Sequence, residues 1–168
     1  MALLQEKSLE RASNIAVIVV AVVVIFTLLH RELRSSTHTQ ASLKGTHFSL
    51  SSVTANPAKE NLVLGISTVC HFCEQNVGFY QQLSTLEAPG KLGFYTIFPQ
   101  SAADASAFLN QKEIHPTGVV SRPLSQYKIT GTPTLLLVDA SGKVQEAWVG
   151  ALDTARQAEV VKTIRQYE

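Results

Sequence analysis

Cys70 and Cys73 are the two cysteines of this chain, separated by His71 and Phe72 in the stretch STVCHFCEQN. Thiols at that spacing admit three chemistries: half of a metal site, a redox couple, or a pair of core residues. A closed structural zinc site needs about four nitrogen or sulfur ligands, usually from a second CxxC or a spaced histidine pair. The sequence has neither, and His30, His38, His47 and His115 stand singly. A buried structural pair is the plain alternative, because free cysteine behaves as a small apolar residue. Position weighs against it. The pair follows the apolar run LVLGIS, Leu62 to Ser67, and opens a helical pattern. Cys70 therefore stands where unpaired backbone N–H groups and the positive end of a helix dipole favour a thiolate. Cys73, one turn later on the same face, is close enough to form a disulfide with it. An exposed attacking thiol backed by a shielded one is the division of labour that thiol–disulfide exchange requires.

A second feature lies some sixty residues away, at Gly131-Thr132-Pro133-Thr134. Proline cannot donate to a sheet ladder, so Pro133 belongs at a strand start. Its plain reading is a turn proline. With a cis Thr132–Pro133 bond, the preceding backbone could instead face the dithiol and pair with an extended substrate chain.

These residues must be held by a sheet with helices packed on it. From Gly45 onward short apolar runs alternate with helical patterns, the signature of an α/β layer structure. Expected strands are Leu62 to Ser67, Lys91 to Phe98, a short Gly118 to Ser121, Thr134 to Val138 and Val144 to Val149, with His47 to Val53 as a further candidate. The last long pair should form an antiparallel edge hairpin around the turn DASGK, Asp139 to Lys143. Helices are expected over Cys70 to Leu86 and Ser101 to Lys112, with a helical turn at Pro123 to Tyr127. A final helix is capped by Asp153 and buries Ala155, Ala158, Val161 and Ile164. Trp148 and Tyr127 read as packing residues.

The order strand, CxxC, helix, strand, helix, Thr-Pro, strand, hairpin, helix resembles the thioredoxin fold across roughly Thr46 to Glu168. The extra helix and strand near Pro99 to Lys128, together with an N-terminal apolar segment, are similar to the membrane-anchored TlpA/ResA-type thiol:disulfide oxidoreductases of the redoxin family. The resemblance implies a central mixed sheet flanked by helices, with a helix–strand insert. It makes Cys70 the nucleophile, Cys73 the resolving cysteine and Pro133 a cis-proline facing them. It makes the backbone of Thr132 a substrate contact, beside which His71 and Phe72 would also meet the substrate. Such exchange needs no cofactor and no metal. Its partners are protein thiols and disulfides, plus a redox partner that recycles the cysteine pair. The sequence departs from thioredoxin itself, which has Trp before the motif and Gly-Pro within it, where this chain has Val69 and His71-Phe72. Thioredoxin's buried Asp, six residues before the first cysteine, is replaced by Leu64. That removes an obvious proton acceptor for Cys73 and leaves Glu74 as a candidate, although a glutamate just after a helix start more often only caps it. His71 beside the Cys70 thiolate would stabilise the reduced form and Glu74 would oppose it, so both directions of electron flow stay open.

Ahead of the domain, Ala12 to Leu29 is an 18-residue run that is apolar from Ile15 except for Thr27. At about 1.5 Å per residue it nearly crosses a hydrocarbon layer of about 30 Å. A signal peptide is the competing reading, because Lys7 and Arg11 precede the run, but no small-residue cleavage pattern follows it. The expected organisation is a short cytoplasmic tail at 1–11, a transmembrane anchor at 12–30, a polar tether at 31–45 and the folded domain at 46–168. Charge does not orient the anchor, because Lys7 and Arg11 face Arg31 and Arg34 across it. A dithiol enzyme is most useful outside the reducing cytosol. The domain is therefore expected outside the cytoplasm, on a single-pass anchor in a bacterial-type inner membrane. A net charge of +1 with no recurring basic run argues against nucleic acid as a partner. Two other functions remain in view: a thiolate site for Cu(I), which lacks a supporting Met cluster, and a redox-inert or sensing module. Peroxidase chemistry is disfavoured, since the peroxiredoxin pattern of Pro, then Thr or Ser, then Cys is broken at its first position: Ser67 stands three before Cys70, but Val63 stands seven before it in place of Pro.

Overall fold

A computed structural model describes residues 18–27, 43–55 and 57–166. The expected tail 1–11, the ends of the expected anchor and most of the tether lie outside them. The chain divides into two units, 1–38 and 39–168. In the first, residues 18–27 are helical, and their apolar side chains from Ile18 to Phe26 are exposed. No helix among the described residues is long and apolar enough to cross a membrane.

The second unit is built on five strands: β1 (Glu60–Gly65), β2 (Leu92–Phe98), β3 (Gly118–Ser121), β4 (Thr134–Asp139) and β5 (Val144–Val149). Their order across the sheet is β3-β2-β1-β4-β5. The pairs β1/β2 and β2/β3 are parallel, whereas β1/β4 and β4/β5 are antiparallel. Every residue of β1 and β2 is buried, which explains why both read as nearly continuous apolar runs rather than alternations. The hairpin after Asp139 forms as its turn chemistry predicts. Asp139 Oδ1 accepts from the Ser141 and Lys143 amides, and Gly142 takes a φ of +90°.

Four helices follow in chain order: α1 (His71–Glu74), α2 (Val77–Thr85), α3 (Ala102–Gln111) and α4 (Thr154–Arg165). Ser101 and Asp153 cap α3 and α4, accepting from the amides of Asp104 and Arg156. All four bury residues on one face of the sheet, in a core containing Leu62, Leu64, Phe94, Phe98, Leu135 and Trp148. Two successive crossovers from β1 to β2 to β3, moving the same way with the same hand, put both connecting helices on that face. The opposite face, carrying Val63, Ile97, Leu136 and Val138, is covered by Leu43, Phe48, Leu50, Tyr127 and Ile129. Tyr127 and Trp148 are both buried, and Phe48 stacks on Tyr127 with ring centroids 5.2 Å apart.

Three expectations differ from the structure. His47 to Val53 is not a strand. His47 makes an isolated bridge to Lys143, and Leu50–Ser52 is a 3-10 turn. The Ser52 hydroxyl donates to the Ser49 carbonyl at 2.6 Å, a local alternative to ladder bonding, while Phe48 and Leu50 still share a buried face. The helix expected over Cys70 to Leu86 is two helices, broken at Asn76. In α4 the buried residues are Val160, Val161 and Ile164. Ala155 and Ala158 lie exposed, because the face that meets the sheet is centred one position away from the alanines.

Candidate active site

The dithiol sits at the end of β1. After Gly65 the chain stays paired for one more residue, Ile66 N–H donating to Ile97 O, and then turns through Ser67, Thr68 and Val69. Gln100, from the loop after β2, pins that turn. Its side-chain amide donates to Ser67 Oγ at 2.7 Å, and its carbonyl oxygen accepts from Thr68 N–H at 3.3 Å. Cys70 then occupies the N-cap of α1 in an extended conformation, and its sulfur accepts the N–H of Cys73 at 3.2 Å. A donor aimed at the sulfur offsets negative charge gathered there.

The two thiols, both free, have different surroundings. Cys70 is half-buried, and Cys73 is wholly buried in the helix-side core. The Cys70 thiol donates to the carbonyl of Thr132 at 3.4 Å, and the Thr132–Pro133 bond is cis. Thr132 is half-buried and Pro133 buried. The Thr134 hydroxyl donates to Gly131 O at 2.7 Å, and Gly150 N–H donates to Pro133 O at 2.8 Å, so the cis-proline turn is held on both sides. Tertiary folding thus brings Cys70, Cys73, Thr132 and Pro133 together. Burial pushes the Cys73 thiol from an ordinary value of 9.0 up to about 12, reinforced by its hydrogen bond with Cys70.

His71 and Phe72 lie on the outside of α1, both exposed. The His71 ring packs at a tilt on Phe72 with centroids 6.0 Å apart, and its Nε2 is 3.2 Å from the Gln75 amide. Phe72 is 58% exposed and Val69, on the other side of Cys70, is 87% exposed. These two exposed apolar side chains flank Cys70 in the chain. Glu74, weighed as a proton acceptor for Cys73, turns outward and pairs with Lys112 at 3.2 Å. Among the described residues no three His, Cys, Asp or Glu side chains gather where they could hold a metal.

Two residues of the site escaped sequence reasoning. Val69 was noted only as a departure from a family pattern, and nothing local signals its exposure. Asn76 is buried and clips the loop before α4 to the dithiol helix. Its Nδ2 donates to Leu152 O at 2.9 Å, and its Oδ1 accepts from Leu152 N–H at 2.6 Å. The side chain is committed to Leu152 and makes no capping bond to α2, at whose N-cap it stands. An asparagine amid helix formers was the one available hint.

No protein-family model matches the sequence, and no curated protein matches it. Solved structures do. A protein described as thiol:disulfide interchange protein DsbE of Chlorobium tepidum superposes with a TM-score of 0.59 at 20% identity, over 74% of this chain and 96% of that one. A thiol-disulfide isomerase of Corynebacterium glutamicum gives 0.53 at 14%, covering 73% and 88%. StoA of Bacillus subtilis gives 0.53 at 15%, covering 66% and 85%. At such identities the likeness is one of architecture: the chain has the thioredoxin-like α/β fold, a mixed five-stranded sheet with its CxxC pair opening a helix at the end of the first sheet strand.

Proposed function

We propose that this chain is a thiol:disulfide oxidoreductase that exchanges disulfides with extracytoplasmic protein substrates through Cys70 and Cys73. One observation carries the reading: a half-buried Cys70 sulfur rests against the Thr132 carbonyl beside cis-Pro133, with an enclosed thiol one turn behind it. In the reducing direction the Cys70 thiolate attacks a substrate disulfide, one substrate sulfur leaves, and a mixed disulfide forms. Cys73 then attacks Cys70 Sγ, forming the Cys70–Cys73 disulfide and expelling the second substrate sulfur as a thiol. The oxidising direction is the same sequence reversed. The Cys73 N–H stabilises charge on Cys70 at each stage where that sulfur attacks or leaves. Val69 and Phe72 give the substrate segment an apolar surface, and the Thr132 backbone gives it a polar one. The segment 12–30 anchors the domain to a membrane with residues 1–11 inside, and a separate redox partner resets the cysteine pair.

The test is the full chain carrying Cys73→Ser, which lacks the resolving thiol. It should accumulate mixed disulfides through Cys70 with extracytoplasmic proteins, visible as reductant-sensitive bands on non-reducing gels. Recovery of no adducts, or of the same adducts from Cys70→Ser, would sink the role assignment.

A further inference from the structure

The segment that delivers Cys70 is a four-residue turn, Ser67 to Cys70, closed by the Cys70 N–H on the Ser67 carbonyl at 3.2 Å. Its central residues are Thr68 and Val69. Neither is among the Gly, Pro, Asn, Asp and Ser that hold such turns by their own chemistry. A turn of this kind also leaves the N–H groups of both central residues without a partner inside its own hydrogen bond, and they must find one elsewhere.

Both do, and both partners lead to Gln100. Val69 N–H turns back to Ser67 Oγ at 3.4 Å, and Thr68 N–H goes to Gln100 Oε1 at 3.3 Å. The other end of the same side-chain amide, Gln100 Nε2, donates to Ser67 Oγ at 2.7 Å. The N–H groups of residues 68, 69 and 70 therefore all find acceptors on Ser67 or Gln100. Gln100 reaches them from a backbone that is itself fixed. It stands between Pro99, whose ring sets its own φ, and Ser101, whose side chain caps α3.

The turn fixes the attacking sulfur. Directly after it Cys70 takes an extended N-cap conformation, φ −92° and ψ 109°, in which its sulfur meets the Cys73 N–H at 3.2 Å and the Thr132 carbonyl at 3.4 Å. Those two groups belong to separate segments, α1 and the cis-proline turn, so residue 70 has to be placed to reach both. We propose that Gln100 is a positioning residue for Cys70: by bonding Ser67 Oγ and Thr68 N–H it keeps the turn closed and holds the sulfur where the Cys73 N–H meets its charge. The proposal rests on the exchange reading above. Gln100 acts through Ser67 and Thr68 and takes no part in the transfer of electrons.

The test uses the reduced full chain carrying Cys73→Ser, in which Cys70 is the single thiol, and an aromatic disulfide, 5,5′-dithiobis(2-nitrobenzoate). The Cys70 thiolate attacks one sulfur of the reagent, the Cys70–sulfur bond forms, the reagent's S–S bond breaks, and its other half leaves with the electron pair as a coloured thiolate. Colour thus measures attack alone. At pH 7, Gln100→Ala should slow it roughly tenfold, the size of one to two lost hydrogen bonds. Ser67→Ala should slow it comparably, and Ser67→Thr, which keeps the hydroxyl, should restore it. The double variant Ser67→Ala/Gln100→Ala should fall well short of the product of the two single effects, because both open the same turn. Ser101→Ala uncaps α3 beside Gln100 without removing a bond to the turn; it should lower the melting temperature and leave attack unchanged. Attack unaltered by Gln100→Ala, equal slowing by Ser101→Ala, a Ser67→Thr variant as slow as Ser67→Ala, or a double variant slowed by the full product would each overturn the proposal. If the reagent behaves as expected while the Cys73→Ser chain captures no protein, the exchange function fails and the role of Gln100 stands.

Discussion

Raising the pH should weaken the fold of the fully reduced protein through Cys73 alone by an amount the structure sets. Burial, aided by the Cys70 hydrogen bond, holds this thiol at about 12 in the folded chain against 9.0 for an unconstrained cysteine. The folded state therefore binds the proton more tightly than the unfolded state. The stability tied to that proton is fully present below about pH 9 and is lost as pH climbs toward 12. Each unit is worth about 1.4 kcal/mol, so by pH 11, two units into the window, the loss is on the order of 3 kcal/mol. Cys73→Ala has no thiol to ionise, and comparison with it cancels the lysines and tyrosines that titrate in the same range. The assay is urea unfolding in a phosphine reductant, followed by fluorescence of the single tryptophan, Trp148, which is buried. Between pH 8 and 11 the parent should lose roughly 2–3 kcal/mol more than the variant, and the oxidised protein should lack this excess. An excess below about 0.5 kcal/mol would mean that Cys73 is solvated in the folded chain, and the distinction between an accessible and an enclosed thiol would collapse.

Two further outcomes follow from buried polar groups. Asn76→Ala leaves the Leu152 N–H without a partner, while the Leu152 carbonyl keeps the Gln157 amide; it should cost about 2–4 kcal/mol in urea unfolding, and a loss under about 1 kcal/mol would remove the clip from the account. Glu60 is buried with one carboxylate oxygen unpaired, and burial, then the facing Asp139, raises its pKa above 4.5. Its contribution is thus present in acid and lost as pH rises through the folded value, so Glu60→Gln should gain on the parent between pH 4 and 7. A difference between the two that does not vary with pH would contradict the shift.

Much of the architecture was legible because burial writes itself into composition. β1 and β2 are enclosed on both faces, and each carries a run dominated by apolar residues, LVLG in the first and FYTIF in the second. The Asp139 turn was legible for a different reason: Asp, Ser and Gly at that spacing satisfy their own backbone. His47 to Val53 misled because its apolar alternation fits any segment that lays one face on a core, and only neighbouring strands decide whether a ladder forms. The single helix expected after Cys70 is interrupted at Asn76, whose side chain is held by Leu152, 76 residues away.

At the site, the sequence by itself determined the identity and spacing of the thiols, the proline before β4 and the absence of a carboxylate at position 64. These are local facts, carried by residue type and by the short reach of one helical turn. Only the tertiary structure decided that the Thr132 carbonyl meets Cys70, that Cys73 is sealed while Val69 and Phe72 are not, that Glu74 looks away, and that Gln100 reaches the turn before Cys70. Exposure and hydrogen bonding are properties of distant segments packed together, and no window of residues around a cysteine contains them.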